Sequence, residues 1–319
     1  MTRYRDALPQ LGGGLFLTDG GIETSMIALE GFDLREFAAF PLLGDACGEA
    51  ALRRYFRSYA DIARRHGTGL ILETATWRAS AGWGMRLGFG PEELAGVNRR
   101  AVELLEDVRD ECEAEGTPIV ISGCVGPRPD DCDPAAATSP DEAGAYHAAQ
   151  IETLAATSAD MVAALTLTTV GEATGIARAA ARAGVPVAIS FTVETDGRLA
   201  SGQSLGDAVA AVDEATDAFP VYYMVNCAHP SHFAPVLDNG QPWVDRVRGL
   251  RANASRLSHA ELDALPAPDA GDPEELAREY AKLRRRLPQL NVFGGCCGTD
   301  HRHVEHIAAQ LAPLFERDA

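Results

Sequence analysis

Within Asn291-Val-Phe-Gly-Gly-Cys-Cys-Gly-Thr-Asp300, two adjacent cysteines stand between glycines, directly after a short apolar run. Successive side chains on a strand point to opposite faces, so Cys296 and Cys297 cannot both fill one core. In a turn built on Gly294, Gly295 and Gly298, which tolerate unusual backbone angles, both sulfurs can swing towards one point. Three readings are open: a strained vicinal disulfide, two packed thiols, or two ligands of a metal. Zinc takes four ligands and accepts thiolates, which requires a third cysteine from elsewhere; Val225-Asn-Cys227 offers one in a similar setting. Cys227, Cys296 and Cys297 would hold Zn2+ and leave its fourth position open.

Such a site is a poor activator of water and a good binder of another thiol, held as thiolate at neutral pH although free cysteine titrates at about 8.5. Its chemistry would be alkylation of sulfur. A methyl donor with a good leaving group, a sulfonium or a quaternary ammonium, would lie in line with the thiolate, with the protein supplying orientation and desolvation. Trp77, Trp83 and Tyr223 are aromatics that could face such a cation or simply pack. Cys227-Ala-His-Pro-Ser-His232 supplies His229 and His232, which would close the coordination if they joined it; they are expected instead on a loop facing solvent. A zinc or thiol-sensing protein without turnover is the alternative from another functional class.

The elements that would carry these groups alternate regularly. Short apolar runs at 15–17, 69–74, 118–122, 161–167, 186–191, 221–226, 247–251 and 290–293 predict strands. Helical periodicity is expected over 49–66, from Pro91 towards Gly116, and over 143–158, 171–183, 205–218, 273–286 and 301–315, with Gly67 and Gly184 as C-caps. Eight such units of about 40 residues predict a single-domain α/β protein over 1–319, a (β/α)8 TIM barrel. No Gly-x-Gly-x-x-Gly follows the first strand, which weakens the doubly wound alternative. In the barrel, Asp19, Thr74, Gly123, Glu194, Cys227, Asn253 and Cys296-Cys297 all fall at carboxyl ends of strands, where barrel enzymes build their sites. A glycine- and proline-rich stretch at 127–140 is a lid or a solvated loop.

The bulk numbers fit. With 46 acidic and 28 basic residues the chain carries a formal charge of -18, which argues against nucleic acid or an anionic membrane as partner. Neither a signal peptide nor a run of about eighteen apolar residues is present, and seven cysteines is an odd count for a disulfide framework, so a cytoplasmic protein with reduced thiols is expected.

Taken together, Leu17-Thr-Asp-Gly-Gly21, Glu73-Thr-Ala-Thr76, Ser122-Gly-Cys-Val-Gly-Pro127, Ser190-Phe-Thr192, Val225-Asn-Cys227, Ala252-Asn-Ala254 and Gly294-Gly-Cys-Cys-Gly-Thr299 resemble the zinc-dependent homocysteine S-methyltransferases. The resemblance runs through almost the whole chain in the family's order. It implies a barrel, zinc on Cys227, Cys296 and Cys297, Asp19 and Gly20 against the acceptor amino acid, and Thr74 or Thr76 helping to hold it. The implied partners are a small thiol acceptor, homocysteine, and a small methyl donor. Beyond the last helix only Glu316 to Ala319 follow, so a soluble sulfonium of the S-methylmethionine kind is expected rather than a donor carried by a further domain.

One departure stands out. Leu165 occupies the position where the family usually has a glutamate for the acceptor's ammonium, and leucine cannot pair with an ammonium. Either Glu194 takes over that role, or the acceptor is a different thiol; a betaine-type donor is a further alternative.

Overall fold

A computed structural model describes residues 2–129, 139–238 and 240–315. Eight parallel strands close into one barrel in sequence order: β1 Phe16–Thr18, β2 Gly69–Glu73, β3 Ile119–Val125, β4 Met161–Leu167, β5 Val187–Phe191, β6 Tyr222–Asn226, β7 Val247–Ala252 and β8 Val292–Gly295. The ring is sealed where Phe16 and Leu17 pair with Val292 and Phe293. Closure of this kind leaves no exposed strand edge.

Helices lie between the strands: α1 Ile22–Ala28, α2 Ala46–His66, α3 Ala81–Leu87, α4 Pro91–Cys112, α5 Pro140–Ala155, α6 Val170–Ala183, α7 Leu205–Thr216, α8 Pro230–Leu237, α9 His259–Asp263, α10 Pro273–Arg286 and α11 His301–Phe315. Local chemistry sets their ends. Asp45 accepts from the N–H groups of Cys47 and Gly48 to start α2, and Gly67 closes it at φ 63°. Gly184 ends α6 the same way at φ 68°. α4 stops at Cys112, short of Gly116, because the chain turns back through a bridge between Ala114 and Thr117 with Gly116 at φ 81°.

Strand alternation divides the core in two. Phe16, Ile71, Val120, Met161, Ala163, Tyr222, Met224 and Val292 form one buried apolar cluster, while Leu17, Leu70, Leu72, Ile121, Val162, Val225 and Phe293 belong to the larger cluster shared with the helices. β3 runs on to Val125, so Gly123 and Cys124 are strand residues and not the turn that their glycines suggest. The pairing of β4 with β5 slips between Ala164 and Leu167, where Thr166 has φ 65°. A β-branched residue in that region is strained, and the bulge turns the end of β4. The greater part of the 127–140 stretch lies outside the described residues.

Candidate active site

Three sulfurs meet at the carboxyl rim of the barrel. Cys227, Cys296 and Cys297 bring their Sγ atoms within 4.8 Å of one another, and among the described residues no other trio of histidine, cysteine or acidic side chains does so. Cys227 and Cys296 are joined as a disulfide with Cα atoms 5.4 Å apart, and Cys297 Sγ lies 3.9 Å from Cys227 Sγ. That last separation matches the ~3.8 Å between sulfurs that each sit about 2.3 Å from a tetrahedral zinc. The oxidised pair must be reduced before all three could ligate.

Cys227 follows β6 with φ 54°, a left-handed conformation rare outside glycine. Three contacts hold it there: its N–H donates to Arg251 O at 3.1 Å, and its carbonyl accepts from Asn253 Nδ2 at 2.9 Å and meets His259 Nε2 at 2.6 Å. Cys296 and Cys297 follow β8. Gly294 and Gly295 are strand residues, needed because Thr18 and Thr299 press where a Cβ would go, and only Gly298 of the three supplies a positive φ, 78°. Burial pushes the Cys297 thiol up to about 12, so it is neutral until a cation replaces its proton.

A narrow cleft with a cavity volume of about 60 Å³ opens beside the sulfurs, well below the usual range of small-molecule sites, so a substrate would have to part its walls. Gly20, Glu23, Phe37, Glu73, Thr74, Trp77, Cys124, Leu165, Thr166, Asn226 and Arg251 line it together with the three cysteines. Of the residues expected from the sequence, Gly20, Thr74 and the cysteines face this space. Asp19, Thr76 and Asn253 stand behind it. Asp19 Oδ1 accepts from Arg251 Nη2 at 2.6 Å and its Oδ2 from the Tyr55 hydroxyl at 3.1 Å, while Thr76 donates to Cys124 O at 2.7 Å. Glu194 is outside the cleft, its side chain 41% exposed and 3.3 Å from His259 Nδ1. His229 is not on a solvent-facing loop. It is buried as the N-cap of α8, its Nδ1 accepting from the Ser231 N–H, and burial lowers it to about 4, so it is neutral.

The charged floor of the cleft was not foreseen. Glu73 ends β2 and Arg251 lies on β7, both buried, with Arg251 Nη1 3.6 Å from Glu73 Oε1. Desolvation raises Glu73 to about 7, against the pull of Arg251. Arg251 also donates to Gly295 O at 3.2 Å and Gly20 O at 3.3 Å, tying the loop after β1 to the one bearing Cys296. An inward charge at a strand tip, two residues after the inward Ile71 in the case of Glu73, was the available signal. At the mouth, Glu23 is also raised to about 7 by burial, and the Arg78 guanidinium lies 4.8 Å from the Trp77 ring and 5.9 Å from Phe37.

The family profile described as homocysteine S-methyltransferase matches residues 16–311. Among solved structures, the homocysteine methyltransferase MmuM of Escherichia coli superposes in its oxidised form with a TM-score of 0.76 at 21% identity, covering 96% of this chain and 98% of that one. Its metallated form gives a TM-score of 0.75 at 19% identity over 95% and 99%. These likenesses show the shared barrel. Methionine synthase from Mycobacterium leprae is 32% identical over 145 residues, which is 43% of this chain but 11% of that protein; the Mycobacterium tuberculosis protein is 33% identical over 147 residues, again 11% of its length.

Proposed function

Since the chain belongs to the homocysteine S-methyltransferase family, we propose that it transfers a methyl group from a small sulfonium of the S-methylmethionine type to the thiol of homocysteine, with zinc held by Cys227, Cys296 and Cys297. The observation that carries this reading is the convergence of three sulfurs from two strand ends on one wall of a cleft. When bound, zinc would lower the pKa of the acceptor thiol and hold it as a thiolate.

The chain's own residues then bind and orient. The thiolate sulfur attacks the methyl carbon, the carbon–sulfonium bond breaks, a neutral thioether leaves, and the acceptor's proton passes to solvent. Gly20 and Thr74 border the acceptor's side of the cleft; Phe37 and Trp77 also line it, but the Arg78 guanidinium already lies against both rings, which leaves Glu23 as the group that would face a cationic donor. E. coli MmuM, described as a homocysteine methyltransferase with oxidised and metallated forms, is consistent with this reading for the present chain.

Leu165 on the cleft wall favours a second reading, in which the acceptor is a different thiol or the donor a betaine. One assay separates them. Reduced, zinc-loaded protein is incubated with homocysteine and either S-methylmethionine or betaine, and methionine is measured. Product with the sulfonium alone is expected. Product only with betaine, or only with another thiol, selects the second reading, and zinc without turnover of any thiol selects a sensor.

A further inference from the structure

Two charged atoms in the floor of the cleft have no hydrogen-bond partner among the described residues: Glu73 Oε2 and Arg251 Nη1. Their residues are 2% and 4% exposed, and both line the same space as the sulfurs. An unpaired buried polar atom costs about 1–3 kcal/mol, more when charged, so a pair of them facing one cavity calls for a ligand that satisfies both. The Ser122 hydroxyl bears on Glu73, and Arg251 Nη1 has the 3.6 Å approach to Glu73 Oε1, while several polar groups in and behind the wall are already engaged. Both oxygens of Asp19 are engaged by Arg251 and Tyr55, Thr74 Oγ1 is bonded to the Cys124 N–H and Thr76, and Leu165 is apolar.

Building on the proposed methyl transfer, we propose that Glu73 and Arg251 are the recognition site for the acceptor's α-amino-acid head, Glu73 Oε2 taking the ammonium and Arg251 Nη1 the carboxylate. Opposite charges on adjacent side chains complement a zwitterion whose own charges are one carbon apart. The arrangement gives the ammonium a carboxylate from β2, on the floor, while the β4 side of the cleft offers Leu165 and Thr166, whose hydroxyl already accepts from Asn226 Nδ2 at 2.8 Å.

The test compares homocysteine with 4-mercaptobutanoate, which lacks the ammonium, and 3-mercaptopropylamine, which lacks the carboxylate. Each is titrated by calorimetry into reduced, zinc-loaded wild type and Glu73→Gln, and turnover is followed in parallel. Wild type should bind homocysteine at least about tenfold more tightly than either analogue, the size of one lost charge-assisted contact. Glu73→Gln should lose about tenfold for homocysteine and for 3-mercaptopropylamine, keep 4-mercaptobutanoate within about twofold, and retain full zinc and its circular dichroism. Equal wild-type affinity for the three thiols overturns the assignment, as does unchanged homocysteine binding in a folded Glu73→Gln. If that variant fails to fold, the wild-type series still decides. Absent methyl transfer with intact head discrimination would sink the reaction and leave the recognition site standing.

Discussion

Leu165 and Glu73 line one cleft, and on the proposed reading they decide what its acceptor can be. Leu165 offers an ammonium nothing, whereas Glu73 is held at about 7 by burial and is half charged at neutral pH. An ammonium binds only the carboxylate form, so preference for homocysteine over 4-mercaptobutanoate should rise between pH 6 and pH 8 and level off above. The ratio cancels ionisation of the thiol itself, which both compounds share. In Glu73→Gln the ratio should stay flat; a flat ratio in wild type would contradict the charge state assigned to Glu73. Glu194 gives the complementary expectation. Half-exposed beside His259, it should tolerate Glu194→Gln with acceptor KM changed less than about twofold, and a larger rise would place it back in the site. The thiols were legible in the sequence because adjacent cysteines among glycines have few structural uses. Glu73 and Arg251 were not, since a charge ending an apolar run reads as a solvated strand end until the barrel closes round it.

The elements that present these residues are held by few clips. Arg251 links Asp19, Gly20 and Gly295 from the interior of the barrel, so Arg251→Met would strand the Asp19 carboxylate. Breaking a buried pair from one side costs about 3–5 kcal/mol. Urea unfolding should show that loss, and Asp19→Asn in the same chain should restore part of it; a loss under about 1 kcal/mol would deny Arg251 this role. On the outer layer, α7 ends at Asp217 with φ 51°, a left-handed position that also puts a negative charge at the helix's negative end. Asp217→Gly should stabilise the fold by about 0.5–1 kcal/mol, read as a shift in urea midpoint; no shift or a loss would mean that Asp217 is held by its surroundings. Strand and helix order was readable from hydrophobic period and glycine caps. The positive φ of Cys227 and the Thr166 bulge were not, because a hydrogen-bond network from β7 and its following loop imposes the one, and the register between β4 and β5 sets the other.

At the scale of the molecule, closing eight short strands brings residues 19, 73, 165, 227, 251 and 296 to one rim, although they are scattered over most of the chain. A barrel commits its carboxyl end to chemistry and the rest to packing. The acidic surface fits small-molecule partners, and none of the described helices is long and apolar enough to cross a membrane. The central claim is that the sulfurs of Cys227, Cys296 and Cys297 form one metal site. Zinc content per chain, measured after reduction and reconstitution in wild type and in Cys227→Ser, Cys296→Ser, Cys297→Ser and Cys124→Ser, tests it most directly. About one zinc in wild type and in Cys124→Ser, with most of it lost from each of the other three, is the predicted result. Full zinc in a folded Cys296→Ser chain would contradict it.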